Sequence, residues 1–137
     1  MKHFIDINSF KKKEIDEIIS LAKKIKKNPK KYSSSCKDKT LGLIFEKQSL
    51  RTRLSFNVGM QKLGGSVLEL KSKDIGFDNK REKAEDVLNV LSQYIDCLMI
   101  RNNNHKQIVN LSKENILPII NGLTEYSHPC QILGDFL

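Results

Sequence analysis

Hydrophobic and polar positions along this chain follow two rhythms. Thr40-Leu-Gly-Leu-Ile-Phe45, Ser66-Val-Leu-Glu-Leu70, Cys97-Leu-Met-Ile100 and Ile116-Leu-Pro-Ile-Ile120 are short, largely apolar runs bounded by polar or turn residues, as buried strands are. Between them, apolar residues recur at spacings of three and four, the period of an amphipathic helix. Ile15, Ile18, Ile19, Leu21, Ala22 and Ile25 make such a face in the first segment. Leu54 and Val58, with Phe56, Met60 and Leu63, make one over 50–63. Ala84, Val87, Leu88 and Leu91 do so over Glu82–Tyr94, and Ile108 and Leu111 over His105–Leu111. Ser49 is placed to cap the second helix, Gly64-Gly65 to stop it, and Pro129 to open a last one. Residues 28–39, with Ser33-Ser34-Ser35, read as a polar connector, and Lys71–Lys80 as a loop containing Gly76.

Strands alternating with helices predict an α/β fold: an open, parallel, four-stranded sheet with helices on both faces, a three-layer αβα arrangement. The chain has 137 residues, which makes one domain over 1–137. A domain of that size buries roughly two-thirds of its unfolded surface and folds without a disulfide or metal. In open parallel sheets, ligands bind beyond the carboxyl ends of the strands. Three polar clusters fall there: Ser49-Leu-Arg-Thr-Arg53, Arg101, and His128-Pro-Cys-Gln131.

Composition narrows the class. With 39% apolar and 29% charged residues, the chain is too apolar for intrinsic disorder. No apolar run approaches the ~20 residues of a membrane span. The opening Met1-Lys-His-Phe-Ile-Asp6 lacks the core of a secretion signal, so a cytoplasmic protein is expected. Cys36, Cys97 and Cys130 are odd in number and lack paired short spacing, and the histidines stand far apart at 3, 105 and 128. Neither a disulfide framework nor a metal site is expected.

The net charge of +8 arises almost wholly in residues 1–40, which carry twelve Lys against five acids. Those lysines lie along the first helix as a solvated face, with no interleaved aromatic platform, so nucleic-acid binding is not expected. Arginine is more informative. Against twenty Lys there are four Arg, at 51, 53, 81 and 101. In a chain that otherwise uses Lys, an Arg marks a place where a planar fork serves and a point charge does not, as in two-handed binding of phosphate.

At a helix start, free backbone N–H groups and the positive dipole end favour an anion. Here Ser49, Thr52, Arg51 and Arg53 surround that spot. A plain cap and two solvated arginines would explain the cluster taken alone; convergence with Arg101 favours an anion site. His128, ahead of Pro129 at a helix start, suits a neutral imidazole that donates to a carbonyl oxygen. Gln131 could read a small amide, and Cys130 looks like a packing residue. No nucleophile–base pair stands out.

Phe45-Glu-Lys-Gln-Ser-Leu-Arg-Thr-Arg53, with Ser55-Phe56 and Leu63-Gly-Gly65, resembles the carbamoyl-phosphate motif of the carbamoyltransferases. Met99-Ile-Arg101, Ile120-Asn-Gly-Leu-Thr124 and His128-Pro-Cys-Gln131 resemble the same family in order and separation, and Cys130 is nearer the ornithine-specific variant than the aspartate-specific one. The resemblance implies a phosphate cradle from Ser49, the Leu50 backbone, Arg51 and Thr52, with Arg53 shaping it from behind. It implies that Thr52, Arg101 and His128 polarise the carbamoyl carbonyl while Gln131 holds its amide. The implied reaction passes the carbamoyl group to the side-chain amine of ornithine, giving citrulline and phosphate in arginine metabolism, without metal or organic cofactor, in a homotrimer.

An aspartate or other amino-acid carbamoyltransferase, or a non-catalytic anion-binding module, is the alternative. Leu50 replaces a usual Thr; Ser72–Asn79 lacks a Gln that relatives use to reach a neighbouring subunit, with Gly76 or Phe77 in its place; and Glu85-Asp-Val-Leu-Asn89 replaces a usual Asp-Thr-Ala-Arg run. The family's chains have two domains, so this one is expected to be the carbamoyl-phosphate half. The amino-acid-binding domain that would hold ornithine is expected to be absent. Alone, this half should bind carbamoyl phosphate weakly and make no citrulline.

Overall fold

The computed structural model describes residues 1–76 and 83–137. Helix α1 spans Lys12–Lys27, strand β1 Thr40–Phe45, α2 Leu50–Lys62, β2 Ser66–Leu70 and α3 Ser72–Ile75. Then come α4 Ala84–Ser92, β3 Cys97–Arg101, α5 His105–Lys113, β4 Ile119–Leu123 and α6 Pro129–Gly134. The four strands form one parallel sheet in the order β2-β1-β3-β4. The expected α/β sheet is therefore present.

Alternation along the strands sorts side chains to two faces. Leu41 and Leu43 of β1 pack with Met99 of β3, covered by Phe56 and Met60 of α2. Ile44, Leu98 and Ile100 point the other way, against Leu88 of α4 and Ile108 and Leu111 of α5. Coverage on both faces is why β1 and β3 read as unbroken apolar runs. Leu43, Leu88, Leu98, Met99, Ile108 and Ile119 are fully buried, and each such side chain contributes about 1.5–3 kcal/mol of burial free energy. The lysine-rich α1 half-buries Ile15, Ile19, Ala22 and Ile25 and leaves its lysines in solvent. No described helix is long and apolar enough to cross a membrane.

Four local expectations need correction. The last strand runs Ile119–Leu123, not Ile116–Ile120. Pro118 has no N–H to give a ladder, although its carbonyl accepts from Leu98 N at 2.9 Å. Pairing instead begins at Ile119, where Phe4 adds a parallel bridge: Phe4 N donates to Ile119 O and Asn121 N to Phe4 O, both 2.8 Å. Within the Lys71–Lys80 stretch, Ser72–Ile75 is one helical turn, closed by Gly76 at φ 73°; Phe77 to Lys80 lie outside the described residues, as do Arg81 and Glu82. The following helix starts at Ala84 and ends at Ser92. The 28–39 connector contains a tight helical turn over Pro29–Tyr32.

The strand order puts the topological reversal between β1 and β3, since the chain leaves β1 for β2 on one side and returns to β3 on the other. A crevice opens at the carboxyl ends of strands at such a point. The β1–α2 turn and Arg101 at the end of β3 lie there.

Candidate functional site: an anion crevice between β1 and β3

Ser49 caps α2 with extended backbone, and its Oγ accepts from Thr52 N at 3.3 Å. The same Ser49 hydroxyl lies 3.0 Å from Thr52 Oγ1 as donor, and Arg101 Nη1 donates to Thr52 Oγ1 at 2.9 Å. A hydroxyl has two lone pairs and one proton. Both lone pairs of the buried Thr52 Oγ1 are taken, so its proton is directed to an acceptor other than these two groups. Ser49 and Thr52, three residues apart, and the remote Arg101 thus form one hydrogen-bonded unit across the β1–β3 crevice.

Among the described residues, Arg53 Nε, Arg101 Nε and His128 Nδ1 are buried without a hydrogen-bond partner, the last two in the crevice. Buried polar atoms are nearly always paired, so two such atoms in one crevice are what a polar ligand would satisfy. His128 stands at the cap of α6. Its pKa is lowered below the ordinary histidine value, by burial first and by the Arg101 charge second. Burial and the Arg101 charge both disfavour the protonated form of His128, the direction that a neutral donor to a carbonyl oxygen requires.

Arg51 is exposed on the first turn of α2 and has no ion-pair partner among the described residues. Arg53 turns away from the crevice: its Nε lies 3.2 Å from Glu69 Oε1, and its guanidinium sits 5.0 Å from the Phe45 ring centre. The Leu50 side chain is 70% exposed and offers the crevice nothing but its backbone N–H. Gln131 is not aimed at the crevice; its Nε2 donates to Asp135 Oδ1 at 2.9 Å, one turn along α6. Burial pushes the thiols of Cys97 and Cys130 up to about 11, so both remain protonated at neutral pH, and Cys130 Sγ sits 3.7 Å from Asn121 O. Cys130 is a packing residue.

Sequence reasoning missed the groups that hold the crevice together. Asn121 is fully buried; its Nδ2 donates to Ile5 O and Ser127 O at 3.0 and 3.2 Å, and its Oδ1 accepts from Leu123 N at 2.9 Å. The β3–β4 register slips here, pairing Ile100 with Asn121 but Arg101 with Leu123, and Leu123 adopts φ 150°. A bulge of this kind re-aims the strand end beside a site. Gly122 is needed at it, because an added Cβ would collide with Met99 Sδ and crowd the Ile100 carbonyl. Ile120–Thr124 stands out in the sequence for its family resemblance, which gives Asn121 no role, and its Asn-Gly pair directly after an apolar run reads as an ordinary turn.

The depressed pKa of His128 has a measurable consequence. In the unfolded chain His128 takes a proton near pH 6.5, whereas in the fold it resists until lower pH. Its contribution to stability is present above about pH 6.5 and is lost as pH falls from there through the lower folded value. Denaturant titrations at pH 7.5 and 5.5 should show a larger drop for the native sequence than for His128→Asn. Equal drops would contradict the assignment.

Residues 2–137 match the family described as aspartate/ornithine carbamoyltransferase, carbamoyl-P binding domain. The ornithine carbamoyltransferase of Campylobacter hominis is 43% identical over 139 residues, covering all of this chain and 45% of that protein. Among solved structures, the Pyrococcus furiosus ornithine carbamoyltransferase superposes with a TM-score of 0.90 at 38% identity, over 98% of this chain and 44% of that one. The anabolic enzyme of Campylobacter jejuni gives 0.87 at 39% identity, over 99% and 44%. The chain therefore spans less than half the length of the relatives it matches.

Proposed function

Because the chain belongs to the aspartate/ornithine carbamoyltransferase family through its carbamoyl-phosphate-binding domain, we propose that the β1–β3 crevice binds carbamoyl phosphate for transfer to ornithine. The observation that carries this reading is the Ser49–Thr52–Arg101 unit, with Arg101 Nε and His128 Nδ1 beside it, buried and unpartnered among the described residues. The phosphate sits on the helix start, held by Ser49, the Leu50 N–H, Arg51 and Thr52, with Arg53 bracing the turn through Glu69. The Thr52 hydroxyl, Arg101 and His128 donate to the carbamoyl oxygen. The ornithine side-chain amine attacks the carbamoyl carbon, the C–O bond to phosphate breaks, the amine loses a proton, and citrulline and phosphate result. Catalysis of this kind rests on positioning and on fixed donors that meet the developing oxyanion. Gln131 holds the carbamoyl amide only after its amide leaves Asp135.

The amine is held by an amino-acid-binding domain outside residues 1–137, a division supported by the coverage of under half of each relative. The protein acts in arginine biosynthesis in the cytoplasm as a homotrimer. The exposed Leu50, Leu54 and Val58, one turn apart on α2, give self-association an apolar stripe. Incubation of this chain with carbamoyl phosphate and ornithine should yield no citrulline. Citrulline at rates near those of an intact relative would contradict the need for a second domain. Leu50→Thr should tighten carbamoyl phosphate binding by about fivefold, the worth of one added hydrogen bond; titration calorimetry measures it, and an unchanged affinity would mean that the position acts through its backbone alone.

A further inference from the structure

We propose that His105 is a positioning residue: through Thr124 it latches the 124–128 loop, and so sets where His128 stands relative to Arg101. This rests on the carbamoyl-phosphate reading of the crevice. His128 and Arg101 come from the ends of neighbouring strands, and each is followed or preceded by a loop with little regular structure. Something must hold those two loops in register.

Thr124 is buried and its hydroxyl is the hub of that join. Thr124 Oγ1 accepts from Tyr126 N at 3.2 Å and from Ser127 N at 3.1 Å. Two N–H donors use both of its lone pairs. The 2.8 Å contact with His105 Nδ1 is therefore the Thr124 hydroxyl donating to the imidazole, shorter than its 3.3 Å alternative, Ser127 O. His105 Nδ1 is thereby the acceptor of this bond. Tyr126 lies against the His105 ring, centres 4.8 Å apart.

His105 itself is fixed to the β3 side. It opens α5 directly after Asn104, whose side chain caps the helix by accepting from Gln107 N at 3.1 Å. Buried Asn102, next to Arg101, accepts from Asn104 N at 2.9 Å and bonds Gln107 through its own amide. Two backbone bonds complete the join, Asn102 N to Leu123 O and Glu125 N to Asn103 O, both 3.1 Å. Of the side chains that span the two loops, His105 reaches the Thr124 hub from outside the loop that carries His128. Its loss loosens that loop, which keeps its backbone bonds and the Asn121 bond to Ser127 O, while the phosphate cradle on α2 stays intact.

The test compares His105→Ala and His105→Asn with the native chain. An Asn side-chain oxygen can accept from Thr124 where Nδ1 did. His105→Ala should weaken carbamoyl phosphate about fivefold, the effect of one hydrogen bond, and inorganic phosphate less than twofold, since phosphate needs only the cradle. His105→Asn should recover most of the difference. Amide hydrogen exchange, which needs no ligand, should quicken at residues 125–128 in the Ala variant and not at residues 98–100. Unchanged exchange at 125–128, or an equal loss for both ligands, would overturn the proposal. If the native chain fails to prefer carbamoyl phosphate over phosphate, the functional reading fails instead, and exchange alone decides whether the latch exists.

Discussion

Replacing Arg101 with Ala should weaken carbamoyl phosphate binding by about a hundredfold or more. Arg101 is half-buried, donates to Thr52 Oγ1 at 2.9 Å, and has a buried Nε with no hydrogen-bond partner among the described residues. A ligand oxygen there gains charge-assisted hydrogen bonds, each contributing about 1.5–3 kcal/mol. Two of them amount to about 3 kcal/mol, which is a hundredfold in affinity. The variant also frees Thr52, whose hydroxyl then no longer has its proton directed to the ligand. Arg101→Lys should recover little, because an ammonium is one point charge and cannot serve Thr52 and a ligand from a rigid fork. Calorimetric titration measures both variants, with far-ultraviolet circular dichroism to show the fold unchanged. A loss below tenfold for Arg101→Ala would place the anion elsewhere.

Asn121→Ala should lower the unfolding free energy by about 3–5 kcal/mol, because each buried hydrogen-bonding group left unsatisfied costs about 1–3 kcal/mol. Two groups lose their partner at once, the Ile5 carbonyl and the Leu123 N–H, while the Ser127 carbonyl loses one of its donors and keeps Thr124 N at 2.9 Å. Leu123 then keeps its φ of 150° with one fewer restraint. For a chain of this size the midpoint of thermal unfolding should fall by roughly 10–20 °C. The N-terminal residues should loosen first, since Phe4 and Ile5 are tied to β4 through Asn121 and Ile119. A loss under 1 kcal/mol would mean that water replaces the amide without cost.

The sheet was legible because its strands are short apolar runs with polar ends, and three of the four keep nearly the bounds that pattern gave. Strand β4 was displaced by three residues because apolarity pointed to Ile116–Ile120, whereas the ladder is set by hydrogen bonds that Pro118 cannot supply. The Asn121-Gly122-Leu123 end is polar and Gly-bearing, so a strand there is visible only once Phe4 and Arg101 are seen pairing with it. At the site, Ser49, Thr52 and Arg101 could be singled out from residue type and strand ends, and the fold brings them within hydrogen-bond distance. The orientation of Arg53 towards Glu69 and of Gln131 towards Asp135 could not be read so, because partners one strand or one turn away compete for the same donors. The roles of Asn121, His105 and Thr124 escaped for a related reason: they join separate segments, and nothing local in the sequence marks the bonds of His105 to Thr124, nineteen positions on, or of Asn121 to Ile5, 116 positions back.

The measurement that bears most directly on the central claim is a calorimetric titration of this chain with carbamoyl phosphate, beside inorganic phosphate and an Arg51→Ala control. Saturable binding that favours carbamoyl phosphate and vanishes in the control is the predicted result, since Arg51 is the exposed guanidinium at the start of α2 with no other ion pair among the described residues. Equal affinity for the two anions, or binding that survives Arg51→Ala, would contradict it.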